Sequence, residues 1–588
     1  MNDVKINPNT NKHRTCVMLA LVIFAGLFAY RVALFSDIEP RSDQAFFSWW
    51  VQGLAQADHV LPNTREEEGF LAALERDDES FLHQLLRPIH GKSITIFTSV
   101  PLALRLMAVW FFGDEIEVQT ISSIFAGTLN ILAVGLLSFW SFRTRRGNLS
   151  SWSINGFALL AVILTGGAYY LHYYSPLGNH NFGVLFLIIA VGATQQAISS
   201  FEDKSDAGYM FIVIASACQF LALYTHWTNV FLLPAATILT WAFSKGCWSR
   251  KVLMFGYYLL FLSIIAAPFL LLAVNNLGHA GNPRNHTAMD LIEIALEAGL
   301  TDKISVLVGR GLQWAANLTL IFSAPGVILG LIGVVLLAVR ERILCPLGVC
   351  VSHFLVAITI TLFSGAHFRT DLYLLPFLIL GMAYLAIISF TAVGNCWKQS
   401  KGIGHSAVGM LIIAITMYHL WHQALKISMP ELVQQYIPGF WAAYYQGQGE
   451  IRPLAYHIDK ILPENAVVLT WGYGMQFFIR NYGMERSDRK ILPSLLTLIS
   501  RFNKGTLSQL INSRDISIPT GAPVYVLIDP VVDYVDEERL QLGIENILGV
   551  NGLTIAKKTS LKLLYKNKLT SIWPHSVELY RVHMDLFN

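Results

Sequence analysis

Long apolar segments recur along the first three quarters of this 588-residue sequence. Each contains roughly 17 to 25 mostly apolar residues, enough for a helix to cross a hydrocarbon core of about 30 Å. The chain is 54% hydrophobic and 14% charged, with a mean hydropathy of +0.48, so it has more apolar surface than a soluble protein buries. These features predict a mainly α-helical, polytopic membrane protein. About eleven spanning helices are expected, near residues 15–35, 119–142, 153–172, 182–200, 208–224, 227–244, 252–275, 315–339, 344–363, 372–393 and 405–425.

The charges of the connecting segments predict which helix ends face the cytoplasm. Lys and Arg collect near the N-terminus and in four later connections, at residues 143–146, 244–251, 340–342 and 397–401. The short connections on the other side are nearly free of them, and an excess of Lys and Arg is typical of cytoplasmic loops. We therefore expect a multi-pass protein of the plasma (inner) membrane, with its N-terminus in the cytoplasm and its C-terminus outside.

One further apolar stretch, residues 93–112, does not fit among the spanning helices. Counting it as a crossing would invert every later connection and place the basic clusters outside. Pro101 and Arg105 also suit the membrane surface better than the middle of the bilayer. We interpret this stretch as an interfacial helix within a long external loop at residues 36–118.

The last quarter of the chain has the composition of a soluble domain. The short apolar runs at residues 466–472 and 523–529 are typical of buried strands, and the segments after each of them contain helical patterns. We predict a transmembrane domain at residues 1–425, followed by an extracytoplasmic α/β domain at residues 426–588.

An acidic residue, Asp43, follows the first apolar segment and precedes aromatic residues at helical spacing. A helix that begins there and lies on the outer membrane surface would turn Phe46, Phe47 and Trp50 towards lipid or core and keep the carboxylate at the rim. Two interpretations stay open for these residues. In one, the carboxylate is a base that meets an acceptor from water and a substrate from lipid. In the other, Ser42 and Asp43 only cap the helix, a contribution of about 0.3 to 1 kcal/mol.

The layout of the chain resembles the GT-C superfamily of polytopic glycosyltransferases, in particular its protein O-mannosyltransferase and aminoarabinose-transferase branch. Asp43 matches the early acidic residue of the first external loop in that family. The stretch "RPIHGKSITIFTSVPLALRLMAVWFFG" at residues 87–113 is similar to its juxtamembrane segment. The stretch "LALYTHWTNVFLLPA" at residues 221–235 resembles a family pattern around an external Thr-His. The stretch "HFRTDLYLLPFLILGMAYLA" at residues 367–386 resembles a late element with Arg, Tyr and Pro.

The resemblance implies transfer of a sugar from a polyprenyl phosphate to an acceptor on the outer face, with inversion at the anomeric carbon. Asp43 would then be the catalytic base that accepts the acceptor's proton. Cations near the membrane surface would bind the donor's phosphate, which leaves with negative charge. The candidate substrate-binding residues are His90, Lys92, His180, His226, Arg369 and Tyr373.

Each of these candidates also has a purely structural interpretation. Lys92 and Arg369 suit side chains that reach from the interface to water or bind lipid headgroups. His226 lies in a tight turn between two predicted crossings and suits a hydrogen-bonded structural histidine. His180 lies in "SPLGNHNFG", where the family more often has an acidic residue.

Cofactors and partners are predicted less sharply. Gln44 stands where the mannosyltransferase branch usually has a second acid, so metal use and acceptor type both stay open. No cofactor is certain, and three external histidines near acids, His59, His90 and His286, leave a divalent metal open. The expected partners are the polyprenyl-phosphate sugar donor, an acceptor that is a glycan, a lipid or a protein, and the lipid bilayer. Nucleic acid is not expected, since no Walker or zinc-finger spacing is found.

Two other classes of protein compete with the enzyme. A transporter or flippase would move lipid-linked sugars without glycosyl transfer, but the sequence has no repeat between its halves and no matching pair of Gly- or Pro-broken segments. A scaffolding protein would not explain why external charges collect at helix ends. A membrane glycosyltransferase is therefore the favoured prediction.

Overall fold

The computed structural model divides the chain into two compact units. The first contains Met1–Phe35, Gly91–Pro101 and Ile121–Met429, and the second contains Ser36–His90, Leu102–Thr120 and Pro430–Asn588. The residues that the structure describes are 22–33, 99–113, 116–143, 151–168, 179–202, 205–223, 225, 248–277, 308–309, 311–312, 314–316, 318–319, 322–364, 372–399, 403–428, 451–470, 490–491, 518–519, 521–528, 544, 560–568 and 576–583.

Most of the described residues are helical. The helices are α1 (Val22–Ala33), α2 (Ser99–Phe112), α3 (Ile116–Arg143), α4 (Ser151–Gly166), α5 (Asn179–Glu202), α6 (Ala207–Leu223), α7 (Trp248–Leu277), α8 (Ala324–Arg340), α9 (Cys345–Ser364), α10 (Leu375–Gln399), α11 (Ile403–Ser428) and α12 (Ile451–Ile461). Every predicted span overlaps one of them, except the span at 227–244, which lies outside the described residues.

Four helices of the described part are long and apolar enough to cross a membrane: Val118–Ser138, His180–Glu202, Leu375–Asn395 and Ser406–Leu425. Several shorter apolar helices accompany them. A helical membrane protein is thus supported, whereas the count of about eleven spans and the orientation of the termini stay predictions.

The predicted span at residues 315–339 is not one continuous helix. Ser323 interrupts it with a φ of 75°, and α8 begins at the next residue. The Ser323 hydroxyl accepts a hydrogen bond from the Gly326 amide and lies 2.9 Å from Nδ1 of His419 in α11. Pro325 stands in the first turn, where its missing N–H group costs nothing. Apolar residues on both sides of the junction, such as Phe322 and Val327, are buried, so the apolar pattern continues across it.

Helix α2 corresponds to the predicted interfacial segment at residues 93–112. Its 14 residues extend over roughly 21 Å, which is shorter than a hydrocarbon core of about 30 Å. Trp110, Phe111 and Phe112 are exposed at its C-terminal end. Arg105 is buried, and burial lowers its pKa to about 10. The length suits the interfacial interpretation, which stays a prediction.

Close packing of glycines joins α8 and α10 in the first unit. A Cβ atom added to Gly333 would overlap the carbonyl oxygen of Gly381, and one added to Gly330 would lie 2.8 Å from the carbonyl oxygen of Leu378. The two helices run parallel, because later residues of α8 meet later residues of α10. Small residues at such crossings let helix backbones approach in lipid, where the hydrophobic effect does not drive association.

The described residues of the second unit form a five-stranded mixed sheet. Its strands are β1 (Val467–Thr470), β2 (Lys490–Ile491), β3 (Val524–Ile528), β4 (Ser560–Lys568) and β5 (Ser576–His583), in the order β2-β1-β3-β5-β4. β1 is parallel to β2 and β3, whereas β5 is antiparallel to β3 and β4. The two buried strands expected from the sequence are β1 and β3, and all their residues are buried. The boundary at residue 425 and the extracytoplasmic location stay predictions.

Candidate functional site

Two of the predicted site residues, His180 and Tyr373, contact each other. The Tyr373 hydroxyl lies 3.4 Å from Nδ1 of His180, and the two rings meet edge to face with centroids 6.0 Å apart. The hydrogen bond is long, and the tautomer of the imidazole decides which partner donates. Both side chains are buried. Residues that the sequence predicts in separate motifs, 193 positions apart, therefore lie at one place.

Helix starts position this pair. His180 is the second residue of α5, and Tyr373 lies in the turn just before α10. Gly183 follows His180 by nearly one turn, and a Cβ atom there would lie 2.7 Å from the Tyr373 hydroxyl and 3.0 Å from Cγ2 of Thr225. Only a glycine at position 183 leaves room for the tyrosine hydroxyl beside α5.

Asparagines connect the start of α5 to α3. Nδ2 of Asn130 donates to the Asn181 carbonyl at 3.0 Å, and Nδ2 of Asn181 donates to the Ser123 carbonyl at 3.4 Å. These three side chains have no exposed surface. Hydrogen bonds between buried amides and backbone carbonyls hold helices together in lipid, because water is absent there. The residue next to His180 is thereby held against α3.

Arg31 is a residue that the sequence reasoning missed. It lies near the C-terminal end of α1, has no exposed surface, and packs on Gly127 of α3, where a Cβ atom would lie 2.7 Å from its Nη2. The signal was present in the sequence, since an ionisable residue inside a membrane segment marks a candidate site. The motifs that indicate the other site residues all lie after the first apolar segment, and Arg31 lies within it.

The contacts place these groups at one end of the helices of the first unit. The C-terminal end of α1, residues 123–130 towards the middle of α3, the start of α5 and the turn before α10 meet there. The basic residues at the ends of α3 and α10, such as Arg143 and Lys398, lie at the opposite ends of those helices. The site is therefore on the side of the bundle away from these basic clusters.

The other predicted site residues lie outside the described residues. They are Asp43, His90, Lys92, His226 and Arg369. Their placement relative to His180 and Tyr373 stays a prediction. Within the described ranges, no group of three or more His, Cys, Asp or Glu side chains is suited to hold a metal ion. The candidate ligands His59, His90 and His286 are also outside those ranges.

Comparison of the fold with solved structures gives significant similarities. The oligosaccharyltransferase from Archaeoglobus fulgidus, tethered with an acceptor peptide that contains the NVT sequon, is similar with a TM-score of 0.50 and 13% identity over 95% of this chain and 74% of that chain. The archaeal oligosaccharyltransferase AglB from Archaeoglobus fulgidus, in complex with an inhibitory peptide and a dolichol-phosphate, has a TM-score of 0.50 and 12% identity over 97% of this chain and 74% of that chain.

The chain has a GT-C fold. ArnT from Cupriavidus metallidurans in the apo state is a further similar structure, with a TM-score of 0.49, 11% identity and coverage of 98% of both chains. No protein-family model matches the sequence, and no curated protein matches it significantly. The predicted GT-C resemblance is thus confirmed as a fold, whereas its branch stays a prediction.

Chemically, this end of the helices offers several hydrogen-bonding groups. The imidazole and the phenol are hydrogen-bonding groups that can serve a phosphate or a sugar hydroxyl. Oδ1 of Asn130 has no hydrogen-bond partner among the described residues, so one acceptor stays available there. Arg31 adds a positive charge, because a guanidinium group keeps its proton in proteins.

Proposed function

We propose that this protein is a membrane glycosyltransferase that moves a sugar from a polyprenyl-phosphate-linked donor to an acceptor at the outer (periplasmic) face of the membrane. The observation that carries the proposal is the contact between His180 and Tyr373, with their rings 6.0 Å apart, in a chain with a GT-C fold. The sequence indicates the two residues in separate motifs, so their contact supports a common role in holding the donor.

The solved neighbours support the kind of donor. AglB is described in complex with a dolichol-phosphate and an inhibitory peptide, and the related oligosaccharyltransferase structure carries an acceptor peptide. A lipid phosphate is a charged headgroup on an apolar tail, so it needs a polar pocket at the end of a helical bundle. The end that contains His180, Tyr373 and Arg31 fits this need.

In the proposed reaction, an oxygen or nitrogen of the acceptor attacks the anomeric carbon of the donor. The bond between that carbon and the phosphate oxygen breaks, and the lipid phosphate leaves with the electron pair and a negative charge. The carboxylate of Asp43 accepts the acceptor's proton. His90, Lys92 and Arg369 stabilise the leaving phosphate, together with donors from His180 and Tyr373.

The same proposal includes the location of the protein. We assign it to the plasma (inner) membrane, with its C-terminal domain outside and a GT-C transmembrane domain at residues 1–425. The opposite placement of the site and of the basic ends of α3 and α10 supports this orientation, because positive residues favour the cytoplasmic side.

Purified protein tests the proposal. Incubation with a polyprenyl-phosphate sugar and a mixture of envelope acceptors should release free polyprenyl phosphate, measured by mass spectrometry of the lipids. A transporter would move the lipid unchanged and release none. Asp43→Asn should lower the release by about 10²- to 10⁴-fold at near-normal melting temperature, because asparagine caps a helix as well as aspartate does but accepts no proton. Release within a few-fold of wild type would instead favour the capping interpretation of Asp43.

A further inference from the structure

One buried charge at the candidate site takes part in no chemical step of the reaction proposed above. The guanidinium group of Arg31 has no exposed surface and lies in an apolar helix of the first unit. Placing such a group in the apolar part of a membrane protein costs several kcal/mol. A function is therefore the expected reason for its presence.

A second unfavourable residue, a glycine within a helix, lies at the same contact. Gly127 stands inside α3, where glycine is a poor helix former, and a Cβ atom there would lie 2.7 Å from Nη2 and 3.2 Å from Cζ of Arg31. A side chain at this position would displace the guanidinium from α3. The glycine thus leaves room for the charge to lie directly against the helix.

The position is one helical turn from the groups that hold the candidate site. Ser123 and Asn130 lie four residues before and three residues after Gly127, so all three share one face of α3. Both bind Asn181, which neighbours His180 in α5. Arg31 and Asn181 therefore contact the same face of α3, within about one helical turn of each other.

We infer that Arg31 is a positioning residue whose buried charge makes this end of the bundle select a phosphate headgroup over an uncharged one. The inference rests on the proposed function, because it concerns the donor's headgroup. At an effective dielectric constant of about 20, two unit charges about 10 Å apart attract each other enough to change a binding constant roughly tenfold. Direct contact with the phosphate is not required for such an effect.

The test measures how tightly the protein in detergent micelles binds dolichol phosphate and dolichol, which differ only in the phosphate. Wild type should prefer the phosphate, and Arg31→Gln should lose roughly tenfold of that preference. Arg31→Lys keeps the charge and should retain it. If Arg31 served only to join α1 to α3, its replacement would instead lower the melting temperature and leave the preference for phosphate intact.

A second charge-removing substitution keeps the test decisive if Arg31→Gln does not fold. Arg31→Met places a flexible apolar side chain at the buried position, so it should also lose the preference for phosphate. Gly127→Ala displaces the guanidinium without removing its charge and should keep most of the preference, as Arg31→Lys does. Gly166→Ala is its matched control for folding, because its Cβ would meet Leu27 of α1 at an ordinary 3.8 Å. An unchanged preference in a folded Arg31→Gln or Arg31→Met variant would overturn the role of Arg31. Equal affinity of wild type for dolichol phosphate and dolichol would overturn the proposed donor itself.

Discussion

The hydroxyl group of Tyr384 donates a hydrogen bond of 2.5 Å to Oε1 of Glu341. Tyr384 is fully buried in α10, about 16 Å along the helix from the level of Tyr373. Two buried tyrosines of one segment thus have different partners, a carboxylate at the end of α8 and a histidine at the start of α5. Removing each hydroxyl separates a structural role from a functional one.

Tyr384→Phe should lower stability and leave the chemistry unchanged. Glu341 would lose its buried donor, at a cost of about 1 to 3 kcal/mol, although Nε of Arg340 stays 3.7 Å from the same carboxylate oxygen. A thermal melt in detergent should show the loss, and turnover per folded molecule should equal that of wild type. A variant that melts normally but turns over slowly would contradict this division of roles.

Tyr373→Phe should do the opposite. The ring keeps its edge-to-face packing on His180, and the lost hydrogen bond is long, so the melting temperature should stay near that of wild type. If the hydroxyl binds the donor, turnover at low donor concentration should fall roughly tenfold, the usual effect of losing one such contact. Wild-type donor dependence would exclude Tyr373 from the site.

Gly183→Ala should disturb the same pair from the other side. Its Cβ would lie 2.7 Å from the Tyr373 hydroxyl, so the tyrosine would have to move. We expect a loss of turnover at least as large as that of Tyr373→Phe. Gly256→Ala in α7 is the control, because a Cβ there meets nothing within 4 Å and should leave turnover unchanged. Equal effects of the two substitutions would mean that helix propensity, and not the clash, is responsible.

Gly333→Ala should weaken the crossing of α8 and α10. The added Cβ overlaps the carbonyl oxygen of Gly381, and overpacking of this kind typically costs 1 to 3 kcal/mol or more. Gly394 lies in α10, as Gly381 does, and no atom is within 4 Å of a Cβ added there. The Gly394→Ala variant should therefore melt as wild type does. A melting temperature of Gly333→Ala equal to that control would show that the two backbones are further apart.

Ser323 provides a test of backbone strain. Its φ of 75° is costly for a residue with a side chain, by about 1 to 3 kcal/mol, and its hydroxyl caps α8. Ser323→Ala loses the cap and keeps the strain, whereas Ser323→Gly loses the cap and relieves the strain. The glycine variant should therefore melt at a higher temperature than the alanine variant. The reverse order would mean that the observed φ is not strained.

The sequence predicted the positions of the helices better than it predicted which helices pack against each other. Apolar runs of membrane length identify α3 or α10 because lipid imposes the same pattern on every span. The sequence also indicated His180 and Tyr373 singly, but no pattern says that the starts of α5 and α10 touch. The contact of Arg31 with Gly127 was unpredictable for the same reason, since it depends on which helices pack together. The start of α8 at Ser323 was not predicted. A serine followed by Pro325 is a helix-start signal, but it lies within a continuous apolar run that was interpreted as one span.

The order of the strands governs when the second unit can fold. Among the described strands β5 comes last in the sequence, yet it lies between β3 and β4 in the sheet. During synthesis β3 is therefore made long before its antiparallel partner, and one side of this fully buried strand waits without hydrogen bonds. An open apolar edge invites pairing with other chains, and contacts so distant in sequence form slowly. The topology thus requires that the edge of β3 be protected from other chains until β5 has been synthesised.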